Sequence, residues 1–113
     1  MTTPDPVAGP AVNILVIGKD PDILKVVLRL LNDFKEARYH AAGTTDPDEA
    51  RRLLAQTDID LVLITNGLDA AADANLRGYI SIQRPGIPVV QHFGGGSGLL
   101  FNEIRHTLLK QQH

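Results

Sequence analysis

The polar residues that could take part in binding or catalysis follow the apolar runs of this sequence. They are Lys19, Asp20, Thr65, Asn66 and His92. In an open parallel α/β sheet the carboxyl ends of the strands lie along one edge, and ligands bind there. A lysine ammonium, a hydroxyl and an imidazole at that edge could bind an anion. A single carboxylate beside a lysine is a poor Mg²⁺ site. The sequence therefore predicts a polar site without a metal or a cofactor.

A second candidate is the loop formed by Gly94, Gly95, Gly96, Ser97 and Gly98. Between a strand and a helix, such a loop presents backbone N–H groups and a positive helix end, which favour anions. Its spacing is neither the phosphate-loop pattern nor GxGxxG, because Leu99 occupies the last glycine position. We favour the structural interpretation, in which the loop is a flexible connection and Ser97 is the N-cap of the last helix.

We find no catalytic constellation and predict that the chain is not an enzyme. His92 has no histidine at ligand-type spacing, so a hydrogen-bonded structural role at a strand end is the favoured interpretation. Thr65 with Asn66 is more typical of a satisfied strand-to-turn pair than of a nucleophile. The absence of cysteine excludes disulfides, thiolate catalysis and cysteine zinc sites.

The elements that must position these residues begin with a buried strand. Residues 14–17 form an apolar run that is too short for a helix and rich in β-branched residues. Asp20-Pro21 then starts a helix. The Asp20 carboxylate can accept hydrogen bonds from the unpaired N–H groups of the first turn, and Pro21 loses nothing at the first helical position by having no N–H group. The apolar positions of that helix recur at helical spacing and predict its buried stripe: Ile23, Leu24, Val27, Leu28, Leu30, Leu31 and Phe34.

Four β-α units follow one another with short joins. The predicted strands are 14–17, 38–42, 59–65 and 87–93, and the predicted helices are 21–34, one from Pro47, 69–83 and 99–110. This order predicts a three-layer, doubly wound parallel sheet with right-handed crossovers. We expect residues 1–11 to be a flexible tail and residues 12–113 to be one domain.

Composition excludes several classes of partner. The chain has 113 residues, a net charge of −2 and a pI near 6.0, with no basic cluster for nucleic acid or an anionic membrane. It has no apolar run long enough to span a bilayer, and we expect no signal peptide, because no basic segment followed by an apolar core is seen at its start. We therefore expect a cytoplasmic protein with no nucleic-acid or membrane partner.

Four segments resemble the receiver domain of bacterial response regulators: ILVIGKDPDIL, TTDPDEARRLL, IDLVLIT and IPVVQHF. The similarity covers most of residues 14–110. It implies a flavodoxin- or receiver-like fold. It further implies that the chain has four strands where receivers have five, with one βα unit missing between Phe93 and Leu99.

Receivers have magnesium-binding acidic residues after the first strand, a phosphoaccepting aspartate after the third, a hydroxyl residue after the fourth and a lysine after the fifth. The aligned positions here are Gly18 with Lys19, then Thr65, then a position near Phe93, and the last has no counterpart. The resemblance thus implies a degenerate pseudo-receiver that lacks the phosphorylation site. In it the Lys19 ammonium could replace the metal and hold Asp20 in place.

Two functional hypotheses follow from the resemblance and the polar residues. The leading one is a non-phosphorylatable module, related to two-component signal transduction, that signals or scaffolds through protein–protein contacts. The alternative is a small-molecule or anion-binding domain that uses the carboxyl edge of the sheet and the loop from Gly94 to Gly98.

The missing unit also predicts a homodimer. The fourth strand becomes an edge with unpaired backbone groups beside Val89, Val90 and Phe93, and the sheet face over Val89 and Val90 loses its cover. We expect a second copy to cover the fourth strand, the glycine loop and the flank of the last helix, a surface that receivers commonly use for output. The competing arrangement is a monomer whose last helix shifts sideways over the gap.

Overall fold

The computed structural model describes residues 11–35, 37–65, 68–92 and 97–111. Strands and helices alternate along the chain: β1 (Val12–Ile17), α1 (Pro21–Asp33), β2 (Tyr39–Thr44), α2 (Pro47–Gln56), β3 (Leu61–Ile64), α3 (Ala70–Gln83), β4 (Val89–Gln91) and α4 (Ser97–Gln111).

The strands form one parallel four-stranded sheet in the order β2-β1-β3-β4. This order confirms the predicted doubly wound α/β fold and makes β2 and β4 the edges of the described sheet. β1 lies between β2 and β3, and its residues Ile14 to Ile17 are at most 1% exposed. A strand covered on both faces explains the unbroken apolar run of that segment.

Helices cover both faces of the sheet. On one face α1 and α4 pack against the strands, with the side chains Leu24, Val27, Leu31, Leu100 and Ile104. On the other face α2 and α3 pack, with the side chains Ala50, Leu54, Leu76 and Ile80. The chain therefore has the three layers expected from its β-α order.

Aspartates cap the first three helices. Asp20 accepts a hydrogen bond from the Asp22 amide at 2.9 Å, and Asp46 accepts one from the Asp48 amide at 3.0 Å. Asp69 does the same for α3. Both Asp-Pro pairs thus start helices as predicted, because carboxylates satisfy N–H groups that lack partners within the helix.

β2 differs from its predicted range of 38–42 and continues to Thr44. Gly43 explains the difference, since a Cβ atom there would lie 2.7 Å from Leu24 Cδ1 and 3.1 Å from Leu28 Cδ1. The missing side chain lets α1 pack directly on the strand. Tertiary packing therefore overrides the low strand propensity of the Ala-Ala-Gly segment.

Other predicted boundaries shift by a few residues. β3 and β4 are shorter than 59–65 and 87–93, and Phe34 is the C-cap of α1.

Ile23, which we expect to face inward, is 38% exposed, because Leu24 and Val27 occupy the centre of the buried stripe. α4 begins at Ser97, two residues before the predicted start at 99. Leu100 lies in the core, as predicted.

The cover over β4 also differs from the prediction. Val90 is 8% exposed and belongs to the same apolar cluster as Leu100 and Ile104. Val89 packs partly against the cluster on the opposite face. The expectation that the sheet face over Val89 and Val90 is bare is therefore wrong. α4 covers Val90, as in the competing arrangement.

Aromatic rings join α4 to the end of α1. The ring of Phe34 stacks on Phe101 with centroids 3.8 Å apart and on Tyr39 with centroids 5.6 Å apart. Burial raises the pKa of the Tyr39 hydroxyl, and the charge of Arg105 partly opposes that shift. This contact fixes α4 to the rest of the domain on the α1 side.

Candidate functional site

The strand ends converge at one edge of the sheet, as the sequence predicts. The amide of Thr65 donates to the Ile17 carbonyl at 2.9 Å, and the amide of His92 donates to the Ile64 carbonyl at 2.8 Å. The residues that follow β1, β3 and β4 are therefore neighbours. We call Gly18, Lys19, Asp20, Thr65 and His92 the carboxyl-edge site.

Thr65 occupies the space beside Gly18. A Cβ atom built on Gly18 would lie 1.8 Å from Thr65 Oγ1 and 3.2 Å from Thr65 Cβ. Thr65 is only 2% exposed, and its hydroxyl points to the Ile17 carbonyl at a long 3.4 Å. The two residues thus fit together only because position 18 has no side chain, and the threonine hydroxyl is largely withdrawn from solvent.

The Asp20 side chain caps α1 instead of pairing with the adjacent Lys19. Its Oδ1 atom accepts from the amides of Asp22 at 2.9 Å and Ile23 at 3.4 Å. Lys19 and Asp20 are both exposed, and among the described residues no ion pair joins them. The expectation that Lys19 holds Asp20 in place is therefore wrong, because two backbone donors already fix that carboxylate.

His92 has a partner that the sequence analysis did not identify. Its Nδ1 atom lies 2.6 Å from Glu103 Oε1, and His92 is 8% exposed. Glu103 directly precedes Ile104, which points into the core. The sequence signal for this contact was therefore a carboxylate at the margin of the buried stripe of the last helix. The pair links the end of β4 to α4 and makes His92 a structural residue rather than a free imidazole.

A second polar network lies on the α3 side of β4. The Gln91 side chain donates to the Ile64 carbonyl at 3.2 Å and accepts from Arg77 Nη2 at 3.0 Å. Arg77 in turn pairs with Asp73 at 3.0 Å. Gln91 is therefore held inside its own chain, and its side chain is directed to the strand end and to α3.

Part of the predicted sites falls outside the described residues, namely Asn66, Phe93 and the loop residues Gly94, Gly95 and Gly96. Of the remaining loop positions, Ser97 and Gly98 belong to α4. A Cβ atom on Gly98 would meet no atom of the described residues within 4 Å.

Two further findings on the described residues concern metal ligands and cavities. Within them, no group of three His, Asp or Glu side chains is placed to hold a metal ion. A pocket of about 240 Å³ lies elsewhere, beside β2, and its polar lining includes Asn13, His40 and Asp58. That pocket shares no residue with the carboxyl-edge site.

Comparison with known proteins supports the fold. No protein-family model matches the chain, and no curated protein matches its sequence. A response regulator receiver protein from Pseudomonas putida superposes with a TM-score of 0.64 at 15% identity, covering 88% of this chain and 81% of its own. A putative pilus assembly-related protein from Burkholderia pseudomallei superposes with a TM-score of 0.56 at 24% identity, covering 83% and 71%. The fold is therefore receiver-like.

No helix in the described ranges is both long enough and apolar enough to cross a bilayer.

Proposed function

We propose that this chain is a receiver-like module that is not phosphorylated and acts through protein–protein contacts. The observation that carries the proposal is the close fit of Gly18 and Thr65. By the sequence resemblance, these positions are those of a metal-binding acidic residue and the phosphoaccepting aspartate. A glycine and a buried threonine that pack against each other provide neither group.

The chemistry of phosphoryl transfer supports this proposal. Transfer to a carboxylate requires a nucleophilic oxygen, a divalent cation and fixed donors around the transferred group. Thr65 is 2% exposed, and among the described residues no base contacts its hydroxyl. Asp20 uses Oδ1 as a helix cap, which leaves one carboxylate beside the Lys19 cation as the candidate Mg²⁺ ligand set. Mg²⁺ requires near-octahedral oxygen ligation, and this set is a poor match.

The receiver-like fold supports the proposed role in signalling. One structural neighbour is named as a response regulator receiver protein and another as pilus assembly-related. A module of this kind, without phosphorylation chemistry, would serve as a fixed docking unit in a cytoplasmic signalling or assembly complex. Its partners would be proteins, a second copy of the chain among them.

A phosphorylation assay tests the proposal directly. The protein is incubated with acetyl phosphate and Mg²⁺, and separately with a beryllofluoride mimic, beside a receiver domain of known activity as control. We expect the intact mass to remain unchanged. We also expect no Mg²⁺-dependent amide NMR shifts at Asp20 or Thr65. A phosphorylated species, or saturable Mg²⁺ shifts at these residues, would contradict the proposal.

The alternative hypothesis of anion binding has its own test. Thr65 and His92 are engaged within the chain, so we expect phosphate, sulfate and nucleotides to leave the melting temperature unchanged at millimolar concentration. A ligand that binds only the folded state must raise that temperature. A saturable increase that Lys19→Ala abolishes would favour the alternative over the protein-contact proposal.

A further inference from the structure

The two edges of the sheet are not equivalent. In a parallel sheet, alternate residues of an edge strand direct their N–H and C=O groups away from the neighbouring strand. In β2 the residues that face β1 are even-numbered, since Val12 N–H donates to the Arg38 carbonyl and Gly18 N–H to the Thr44 carbonyl. Ala41, in the middle of the strand, therefore faces outward.

Asn32 closes the β2 edge at Ala41. Its Oδ1 atom accepts from the Ala41 amide at 2.9 Å, and its Nδ2 atom donates to the Ala41 carbonyl at 3.0 Å. The same Nδ2 group donates to the Leu28 carbonyl at 2.9 Å, which anchors the side chain on α1. The carboxamide thus takes the place that a peptide unit of another strand would occupy, and such closing of an edge prevents pairing with other chains.

The β4 edge has the same geometry without the closing side chain. Val62 N–H donates to the Pro88 carbonyl and His92 N–H to the Ile64 carbonyl, so even-numbered residues face β3 here as well. Val89 and Gln91 consequently direct their backbone groups outward. Among the described residues, no strand or side chain pairs with those groups. The Gln91 side chain cannot cover them, because it bonds to Ile64 and Arg77.

We propose that β4 pairs antiparallel with β4 of a second copy, across a two-fold axis beside Val90. The outward residues stand one position before and one position after Val90. Antiparallel pairing therefore sets Val89 of each copy opposite Gln91 of the other, and each such pair exchanges two backbone hydrogen bonds. A second copy satisfies all the outward groups of both chains, which is the self-complementarity that a two-fold interface requires.

This inference rests on the proposed protein-contact function and names the surface and the partner. The dimer uses the unpaired backbone groups of β4, as expected from the sequence, but it leaves Val90 in the core under α4 instead of beneath the second copy. The paired strands are short, so the dimer is expected to be weak, with a dissociation constant on the order of tens of micromolar.

Sedimentation equilibrium with matched variants tests the pairing. Val89→Pro removes one outward N–H, and it breaks no bond to β3 because that N–H faces away from the sheet. We expect Val89→Pro to weaken dimerisation about tenfold or more, since two bonds are lost across the axis. Val89→Thr retains the N–H and should dimerise like the wild type. A wild-type monomer over the whole concentration range, or a dimer indifferent to Val89→Pro, overturns the proposal.

Hydrogen exchange of the wild-type protein gives a test that does not depend on a variant's folding. Raising the concentration should slow exchange at the Val89 and Gln91 amides and leave the outward Tyr39 and Gly43 amides of β2 unchanged. Slowing at β2 instead, or at neither edge, overturns the proposal. The phosphorylation assay is independent: an unphosphorylated monomer refutes only the pairing, and a phosphorylated dimer refutes only the proposed function.

Discussion

Replacing Gly18 with alanine is expected to lower the free energy of unfolding by about 3 kcal/mol, the upper part of the usual range for overpacking. The new Cβ atom would lie 1.8 Å from Thr65 Oγ1, far inside van der Waals contact. Thr65 cannot simply rotate away, because it is β-branched and 2% exposed. Backbone strain is not the cause, since Gly86 is the glycine with positive φ in the described ranges. Urea unfolding followed by circular dichroism measures the loss.

A double-mutant cycle identifies the contact responsible. Thr65→Ala removes Oγ1 and leaves Thr65 Cβ, 3.2 Å from the new atom, as the nearest group. We therefore expect the Gly18→Ala penalty to fall by about half or more in the Thr65→Ala background, a coupling typical of residues in direct contact. Gly78→Ala is the control, because a Cβ atom there meets nothing within 4 Å and α3 should gain about 0.5–1 kcal/mol. Equal penalties in both backgrounds would show that the close approach is unimportant.

The cycle also bears on the proposed function. An acidic residue at position 18, as the receiver pattern requires, must displace the side chain at position 65 before it can bind a metal. Introducing one acidic residue at position 18 therefore should not make the chain phosphorylatable. The packing of Gly18 against Thr65 supports the proposed module, whose output does not depend on a phosphoryl group.

The fold could be predicted from local signals in the sequence. The apolar run at 14–17 and the Asp-Pro pairs act through burial and helix capping, which involve residues a few positions apart. The extent of β2 could not be predicted, because it depends on how Gly43 meets Leu24 of α1. The cover over Val90 depends in the same way on where α4 packs.

The carboxyl-edge site was predictable in position but not in chemistry. Strand order brings the residues after β1, β3 and β4 together. The resemblance to receiver domains implied this order, which the β-α pattern alone leaves open. The contacts that decide what these residues do are tertiary. Asp20 is occupied by its own helix, and His92 is occupied by Glu103 on another element. The helical periodicity of α4 places Glu103 at the margin of the buried stripe, but it does not by itself pair that carboxylate with His92.

Replacing Glu103 with alanine is expected to lower the free energy of unfolding by about 2 kcal/mol, within the range for losing the partner of a buried polar group. The carboxylate lies 2.6 Å from Nδ1 of His92, whose side chain is 10% exposed. Without Glu103, that imidazole has lost the acceptor that compensates its burial. Because the pair joins β4 to α4, the loss should also loosen the helix. Amide exchange should therefore accelerate more at Ile104 and Leu108 of α4 than at Leu15 of β1.

Two further variants separate this contact from general effects of mutation. Glu103→Gln keeps an acceptor oxygen at the same reach and should recover more than half of the lost stability. Arg51→Ala breaks the exposed pair with Asp48, and surface ion pairs of that kind contribute about 0–1 kcal/mol. If Glu103→Ala costs no more than Arg51→Ala, the pair with His92 contributes little. In that case α4 is held mainly by Leu100, Ile104 and the ring of Phe101 against Phe34.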